Sequence, residues 1–165
     1  MLFQELPNRQ TIRYENYDYT SSGSYFITIC CQDFKYRFGK IHNGIMCLNS
    51  IGQIVLQSWL SLKQDYNWVE IDEFQVMPNH FHGIGTLSDG FESADKSITS
   101  LIGEFKSKVF HESLKWHKSR NLQMGKLWQR NFYEHIIRDY KDLTNCQAYI
   151  RNNPQSWSND CFNRG

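Results

Sequence analysis

The sequence predicts an α+β fold in which helices interrupt a mainly antiparallel sheet. Short β-prone runs, either apolar throughout or alternating apolar with polar residues, are found at 24–31, 68–76, 79–87 and 127–137. Segments with apolar residues at helical spacing follow them, at 50–66, 98–114 and 143–150. This order is close to the split βαβ, or ferredoxin-like, arrangement, and we expect the helices on one face of the sheet.

The composition indicates a single domain, residues 1–165, with enough aromatic and aliphatic side chains for a sizeable core. With a formal net charge of +1, the protein lacks the overall positive field of many duplex-binding proteins. A local basic groove lined with aromatic residues is still compatible with this charge. The five cysteines are scattered without C-x-x-C spacing, as reduced cytosolic thiols are. No apolar run reaches membrane-spanning length, so we expect a soluble cytoplasmic protein.

The first half of the chain contains an arm, a strand, a hairpin and a helix. Residues 1–22 are polar and are predicted to form an irregular N-terminal arm, whereas the apolar run 24–31 predicts a central strand. Asn43-Gly44 lies between two short apolar runs and predicts a hairpin, because both central residues of its turn must tolerate positive φ. Asn49 or Ser50 would cap the helix that runs to about residue 66.

The second half begins with a loop at 88–95, rich in Ser, Asp and Gly, and continues into the second helix. The segment 127–137 reads as a strand. Asp139 or Asp142 opens the last helix, which must end before Pro154, since proline cannot continue a helix. The polar tail 155–165 is expected to be loosely ordered.

Two histidines lie two residues apart in Met77-Pro78-Asn79-His80-Phe81-His82. Residues i and i+2 of a strand project from the same face, so His80 and His82 form a pair and Phe81 points into the opposite, apolar packing. Two neutral imidazoles on one face supply two ligands of a divalent-metal site and lack a third protein ligand. An ordinary pair of structural histidines is the alternative.

Three blocks of the sequence carry a family resemblance: MPNHFH at 77–82, LWQRNFYEHIIR at 127–138 and YIRNNP at 149–154. Together and in this order they resemble the single-tyrosine HUH transposases, most of all the REP-associated tyrosine transposases. The resemblance implies a metal-dependent endonuclease and strand transferase that acts on single-stranded or hairpin DNA. It ends after Pro154, where Gln-Ser-Trp-Ser replaces the basic, glycine-containing continuation common in the family.

The resemblance also implies roles for individual residues. His80 and His82 would bind Mg²⁺ or Mn²⁺, and Tyr149 would attack a phosphodiester and become linked to the 5′ end of the strand. Asn153, one helical turn after the tyrosine, would help to bind the metal. Tyr149 and Asn153 are i and i+4, so one helix can deliver both to the same place. Two imidazoles make the site softer than Mg²⁺ prefers and favour Mn²⁺ in vitro.

Other residues are candidates for contact with DNA. Tyr133 is a rival nucleophile, although its predicted strand position favours packing. Phosphate contacts or base stacking are predicted for Lys106, Lys108, Trp128, Arg130 and Arg138. For the lysines an ordinary solvated helix face, and for Trp128 core packing, are equally open readings.

Two other functions are compatible with the sequence. One is a catalytically silent DNA-hairpin-binding protein that keeps the fold, and the other is an unrelated metallohydrolase that uses water as its nucleophile. A monomer in which the tyrosine acts in cis and a homodimer in which it acts in trans are both open. We expect no membrane partner, and nucleoid association when the protein is bound to DNA.

Overall fold

The computed structural model describes residues 23–88 and 97–164. The strands are β1 (Gly23–Cys30), β2 (Gly39–His42), β3 (Ile45–Leu48), β4 (Val69–Val76), β5 (His80–Leu87) and β6 (Tyr133–Ile137). The helices are α1 (Ser50–Asp65), α2 (Ile98–Lys118) and α3 (Tyr140–Asn152), with short 3₁₀ turns at Gln32–Phe34 and Trp157–Asn159. The predicted arm and all but the first residue of the predicted loop 88–95 lie outside the described residues.

Four strands form one antiparallel sheet in the order β4-β5-β1-β6, while β2 and β3 form a separate hairpin. Helix α1 connects β1 through the hairpin to β4, and α2 connects β5 to β6. With the hairpin set aside, the order is β-α-β-β-α-β, with β1 and β5 at the centre of the sheet. This is the split βαβ arrangement, and the predicted α+β class is confirmed.

The helices occupy both faces of the sheet. Trp59 of α1 and Phe105 of α2 pack against Phe81 of β5, with ring centroids 4.8 and 5.3 Å apart. Helix α3 packs on the opposite face, where its Cys146 and Ile150 form a small apolar cluster with two sheet residues, Phe26 and Ile84. The placement of α3 thus differs from the expected single helical layer. The physical reason is that the two central strands carry apolar residues on both faces, and the second face also needs a cover.

Local signals in the sequence account for the turns and helix starts. Asn43 and Gly44 adopt φ angles of 49° and 72°, and the predicted hairpin forms around them. The Asn49 side chain accepts a hydrogen bond from the backbone of Gly52 and caps α1. Of the two acidic candidates for the start of α3, Asp139 is the N-cap and accepts from the backbone N–H of residue 142.

The predicted strand at 127–137 is too long, because only its last five residues, Tyr133–Ile137, form β6. The earlier part makes an isolated antiparallel bridge between Trp128 and Cys31, just beyond the end of β1, and is otherwise held by α2. The Lys106 ammonium donates to the carbonyls of Gln129 and Arg130 at 2.8 and 3.0 Å, and the Trp128 indole donates to the Lys106 carbonyl at 3.1 Å. The two bonds from Lys106 satisfy carbonyls that a continued strand would have paired.

A first prediction concerns Gly83, which follows the histidine pair on β5. A Cβ atom there would lie 2.8 Å from both Trp59 Cζ2 and Phe81 Cε1. We expect Gly83→Ala to lower the free energy of unfolding by about 1–3 kcal/mol through overpacking.

The matched control is Gly103→Ala on α2, where a Cβ meets nothing within 4 Å. It should raise stability by about 0.5–1 kcal/mol. Urea unfolding of both variants measures the difference, and equal stabilities would contradict the packing described.

Candidate active site

The pairing of β5 with β1 determines where the two histidines lie. His80 is paired with Cys30 and His82 with Thr28, on the sheet face that α3 covers. Phe81 points to the opposite face and enters the core beneath α1 and α2. Both imidazoles are fully buried. The structure therefore places the predicted pair on one face, as the i, i+2 spacing requires.

The two imidazoles turn the same ring nitrogen toward each other. His80 Nε2 and His82 Nε2 are 3.0 Å apart. Two ligands at right angles around a divalent ion, each about 2.1 Å from it, are separated by about this distance. The Nδ1 atoms point away, to Asn79 Oδ1 at 2.8 Å and to Thr28 Oγ1 at 2.7 Å. Such outer contacts are typical of metal-binding histidines.

Burial keeps both histidines neutral, which is the form that binds metal ions. Desolvation lowers the pKa of His82 to about 3. Desolvation, followed by the neighbouring His82, holds the pKa of His80 well below its usual range. Each ring therefore keeps one unprotonated nitrogen at neutral pH.

Tyr149 lies beside the histidines of its own chain. Its ring meets the His82 ring edge-on with centroids 5.3 Å apart, and it meets Phe26 at 5.9 Å. Burial raises the pKa of the phenol far above its usual value, and the negative charge of Asp160 raises it further. The hydroxyl is therefore protonated in this arrangement, and only a nearby cation or base would activate it.

Asn153 follows the last residue of α3, one turn after Tyr149, and is buried. Its Nδ2 donates to Asp160 Oδ2 at 2.8 Å. Its Oδ1 is buried and has no hydrogen-bond partner among the described residues. Burial lowers the pKa of His80 and raises that of Tyr149, and the nearby Asn153 side chain opposes both shifts. A buried carbonyl oxygen without a donor is costly, and a cation would satisfy it.

The three side chains offer two imidazole nitrogens and one amide oxygen, all of them buried. This donor set suits a divalent ion of the Mn²⁺ or Mg²⁺ type, with positions left for phosphate oxygens and water. The unpartnered Asn153 Oδ1 is the observation that favours an ion here, since no described protein group satisfies it. The residues present therefore fit the metal that the sequence predicts.

A bulge in β4 anchors the helix that carries the tyrosine. The β4–β5 register shifts between Ile71 and Phe74, so Asp72 and Glu73 both reach α3. Asp72 accepts from Gln147 Nε2 at 2.8 Å, and Glu73 accepts from the guanidinium of residue 151 at 3.1 Å. This contact was not predicted from the sequence. Its signal is visible, since two successive acidic residues break the alternation of β4.

A second group of possible metal ligands lies at the start of α3, namely His135, Asp142 and Cys146. His135 Nε2 donates to both oxygens of Asp142, at 2.9 and 2.8 Å. Burial, followed by the charge of Asp142, raises the pKa of the Cys146 thiol to about 12. The histidine and the carboxylate satisfy each other and the thiol stays protonated. This group therefore clamps α3 to β6, as a structural histidine does.

The C-terminal segment covers the histidine pair instead of being loosely ordered. Phe162 is fully buried, with its ring centroid 4.6 Å from that of His80 and 6.0 Å from that of His82. Trp157 approaches His80 at 5.9 Å. Asn79 Nδ2 donates to the Phe162 carbonyl at 2.7 Å. The expectation of a loose tail is therefore wrong. Packing of these two aromatic side chains offsets the conformational entropy that is lost when the segment becomes ordered.

Comparison with known proteins shows the family to which this chain belongs. The family model described as transposase IS200 like matches residues 40–153, which include the histidine pair, Tyr149 and Asn153. This chain belongs to the IS200-like transposase family. The predicted resemblance to the REP-associated branch of tyrosine transposases is confirmed by its relatives.

Three relatives of this transposase show how far the similarity extends. An uncharacterized protein of Haemophilus influenzae is 37% identical over 93% of this chain and 92% of its own length. A REP-associated tyrosine transposase of Escherichia coli is 27% identical over 82% of this chain and 68% of its own length. The solved structure of a REP-associated tyrosine transposase bound to a REP hairpin has a TM-score of 0.63 at 26% identity. That match covers 88% of this chain and 73% of the other.

The predicted DNA-contacting residues of this transposase are dispersed. Burial lowers the pKa of Lys106 to about 8, and its ammonium binds backbone carbonyls. Lys108 pairs with Asp65 at 2.9 Å in the α1–α2 layer, on the sheet face away from the histidines. Trp128 is almost fully buried, whereas Arg130 and Arg138 are exposed. Contact with DNA by these five residues stays a prediction.

Within residues 23–88 and 97–164, every helix is either too short or too polar to cross a bilayer.

A second prediction concerns the cover over the histidines. Diethyl pyrocarbonate modifies accessible neutral imidazoles, so His80 and His82 should react far more slowly than the exposed His42. In Phe162→Ala the two buried histidines should approach the rate of His42, because the ring that lies over them is removed. Peptide mass spectrometry follows each site. Unchanged protection of both histidines in the variant would contradict a cover made by Phe162.

Proposed function

We propose that this chain is a metal-dependent single-stranded DNA endonuclease and strand transferase that forms a 5′-phosphotyrosine intermediate at hairpin or repeat-associated sites. The observation that carries the proposal is the convergence of His80 Nε2 and His82 Nε2 at 3.0 Å with the Tyr149 ring 5.3 Å from His82. Support also comes from a relative that is a REP-associated tyrosine transposase and from a similar structure bound to a REP hairpin.

The three buried donors, His80, His82 and Asn153, would hold Mn²⁺ or Mg²⁺. When bound, the ion would polarise the scissile phosphate and neutralise the charge that develops on it. The two imidazoles favour Mn²⁺, because Mg²⁺ prefers oxygen ligands. The same positive charge would offset the burial that raises the pKa of Tyr149.

The reaction of Tyr149 is a phosphoryl transfer without a change in the number of phosphoester bonds. The phenol oxygen forms a bond to phosphorus, the bond from phosphorus to the 3′ oxygen breaks, and that oxygen leaves as a 3′-hydroxyl with the proton that the phenol gave up. The 5′ phosphate is then joined to Tyr149. Attack by another 3′-hydroxyl reverses these steps, rejoins DNA and regenerates the tyrosine without ATP.

The proposed reaction uses a tyrosine and a histidine pair of the same chain. Helix α3 already lies over the β5 histidines, held by the β4 bulge and by the His135–Asp142 pair. A tyrosine that acts in cis therefore needs no exchange of α3 between chains. We propose this arrangement for the active protein.

A second candidate is a catalytically silent hairpin-binding protein. The observation that favours it is the burial of both histidines beneath Phe162, with the phenol of Tyr149 protonated. A scissile phosphate reaches the histidines only if the C-terminal segment moves. In a silent binder that segment would stay in place.

A third prediction separates these functions. Purified protein, Mn²⁺ and end-labelled single-stranded hairpin DNA from the flanks of its own gene are incubated and run on a denaturing protein gel. We expect label at the protein's mass, lost to background in Tyr149→Phe and in His80→Ala, because nucleophile and metal ligand are removed. The matched control is Tyr140→Phe, which alters an exposed tyrosine on the same helix and should keep the adduct.

The other outcomes identify what would be wrong. An adduct that survives in Tyr149→Phe and disappears in Tyr133→Phe would move the nucleophile to β6. Free cleaved DNA with an active Tyr149→Phe variant would indicate a hydrolase that uses water. A metal-independent shift on a native gel without any adduct would support the silent binder.

A further inference from the structure

Each of the three candidate ligand side chains has a hydrogen-bond partner on the side away from the ligand atom. The pairs are His80 with Asn79, His82 with Thr28, and Asn153 with Asp160. Each partner is a particular chemical group, and each limits how the ligand side chain can be protonated or turned.

The amide of Asn79 faces His80 in a single orientation. Its Nδ2 donates to the backbone carbonyls of Phe34 and Phe162, at 3.0 and 2.7 Å. Its Oδ1 is therefore the atom that lies 2.8 Å from His80 Nδ1, and a carbonyl oxygen can only accept. His80 must carry its proton on Nδ1, which leaves a lone pair on Nε2.

The proton of His82 follows from that of His80. Because the two Nε2 atoms are 3.0 Å apart and that of His80 is an acceptor, His82 donates from its own Nε2 when no ion is bound. Its Nδ1 then accepts from the hydroxyl of Thr28, 2.7 Å away. To bind an ion through Nε2, His82 must carry its proton on Nδ1 instead. The same hydroxyl can rotate and accept it, with no net gain or loss of protons.

Asp160 orients Asn153 in a comparable way. One oxygen of the carboxylate accepts from Asn153 Nδ2 at 2.8 Å, and the other accepts from the backbone N–H of Phe162 at 2.7 Å. Since a carboxylate only accepts, the amide cannot turn over without losing this bond. The oxygen of Asn153 is thereby left as the end of the amide without a described partner.

We propose that Thr28, Asn79 and Asp160 are positioning residues for the three ligand side chains. Asn79 keeps Nε2 of His80 unprotonated, Thr28 allows the proton of His82 to move to Nδ1 when an ion binds, and Asp160 fixes the orientation of the Asn153 amide. In this arrangement Thr28 changes from hydrogen-bond donor to acceptor when an ion binds. The inference rests on the proposed metal-binding role of the histidine pair. It also makes the C-terminal segment part of the site, because Asp160 lies in that segment and Asn79 donates to it.

The tautomers of His80 and His82 can be measured in the metal-free wild-type protein. Long-range proton–nitrogen correlation NMR distinguishes Nδ1–H from Nε2–H imidazoles. We expect His80 as Nδ1–H and His82 as Nε2–H. A His80 imidazole that carries its proton on Nε2 would overturn the orientation assigned to Asn79.

Metal binding tests Thr28 directly. We expect Thr28→Val to weaken Mn²⁺ binding by about 10- to 100-fold in calorimetric titration, because the Nδ1 proton of ion-bound His82 loses its acceptor. Thr28→Ser should bind Mn²⁺ with near wild-type affinity, because the serine keeps the hydroxyl. The matched control is Thr86→Val, which removes a hydroxyl that pairs across the same two strands with Ser24 at 2.7 Å. That control should bind Mn²⁺ like the wild type.

Asp160 gives an independent variant in the C-terminal segment. Asp160→Ala should also weaken Mn²⁺ binding, by about 10-fold, because the Asn153 amide is then free to turn over. Wild-type affinity in Thr28→Val, or equal losses in Thr28→Val and Thr86→Val, would overturn the inference. If the wild type itself bound no Mn²⁺, the proposed function would fail, and the tautomer spectrum would still report whether Asn79 orients His80.

Discussion

The register of β5 against β1 is the constraint on which the candidate site depends. A slip of one residue would send His80 and His82 into the core and bring Phe81 out to the site, because side chains alternate along a strand. The register is held from the opposite face, where Phe81 packs against Trp59 with ring centroids 4.8 Å apart. Gly83 permits that close approach. The geometry of the polar face therefore follows from apolar packing on the other face.

Polar contacts, by contrast, hold helix α3. The β4 bulge supplies two acidic side chains to α3, and His135 on β6 pairs with the first turn of the helix. The apolar patch under α3 is small, so these contacts carry much of its placement. The site they complete contains neutral imidazoles, a protonated phenol and an unpartnered amide oxygen. A cation would stabilise such a site, and its positive charge would in turn attract an anionic phosphate.

Much of the fold was predictable because the local pattern of apolar and polar residues determines which side chains of a strand or helix share a face. The period of β5 places His80 and His82 together, and Asn43-Gly44 specifies its hairpin. The cover over the site was not predicted, because Phe162 is held by Asn79, 83 residues earlier in the chain, and no local pattern expresses that contact. The predicted strand at 127–137 is longer than β6 for a related reason, since the carbonyls of Gln129 and Arg130 accept hydrogen bonds from Lys106 of α2. In each case a long-range contact outweighed a local preference.

Pulsed electron paramagnetic resonance of Mn²⁺ bound to the wild-type protein would show whether the two β5 histidines hold the ion. We expect nitrogen couplings from two directly bound imidazoles, with one coupling lost in His80→Gln and the other in His82→Gln. Both couplings should persist in His135→Gln, because that histidine clamps α3 to β6 through Asp142. An ion without nitrogen couplings, or couplings that disappear in His135→Gln and survive loss of the β5 pair, would contradict a metal site on His80 and His82.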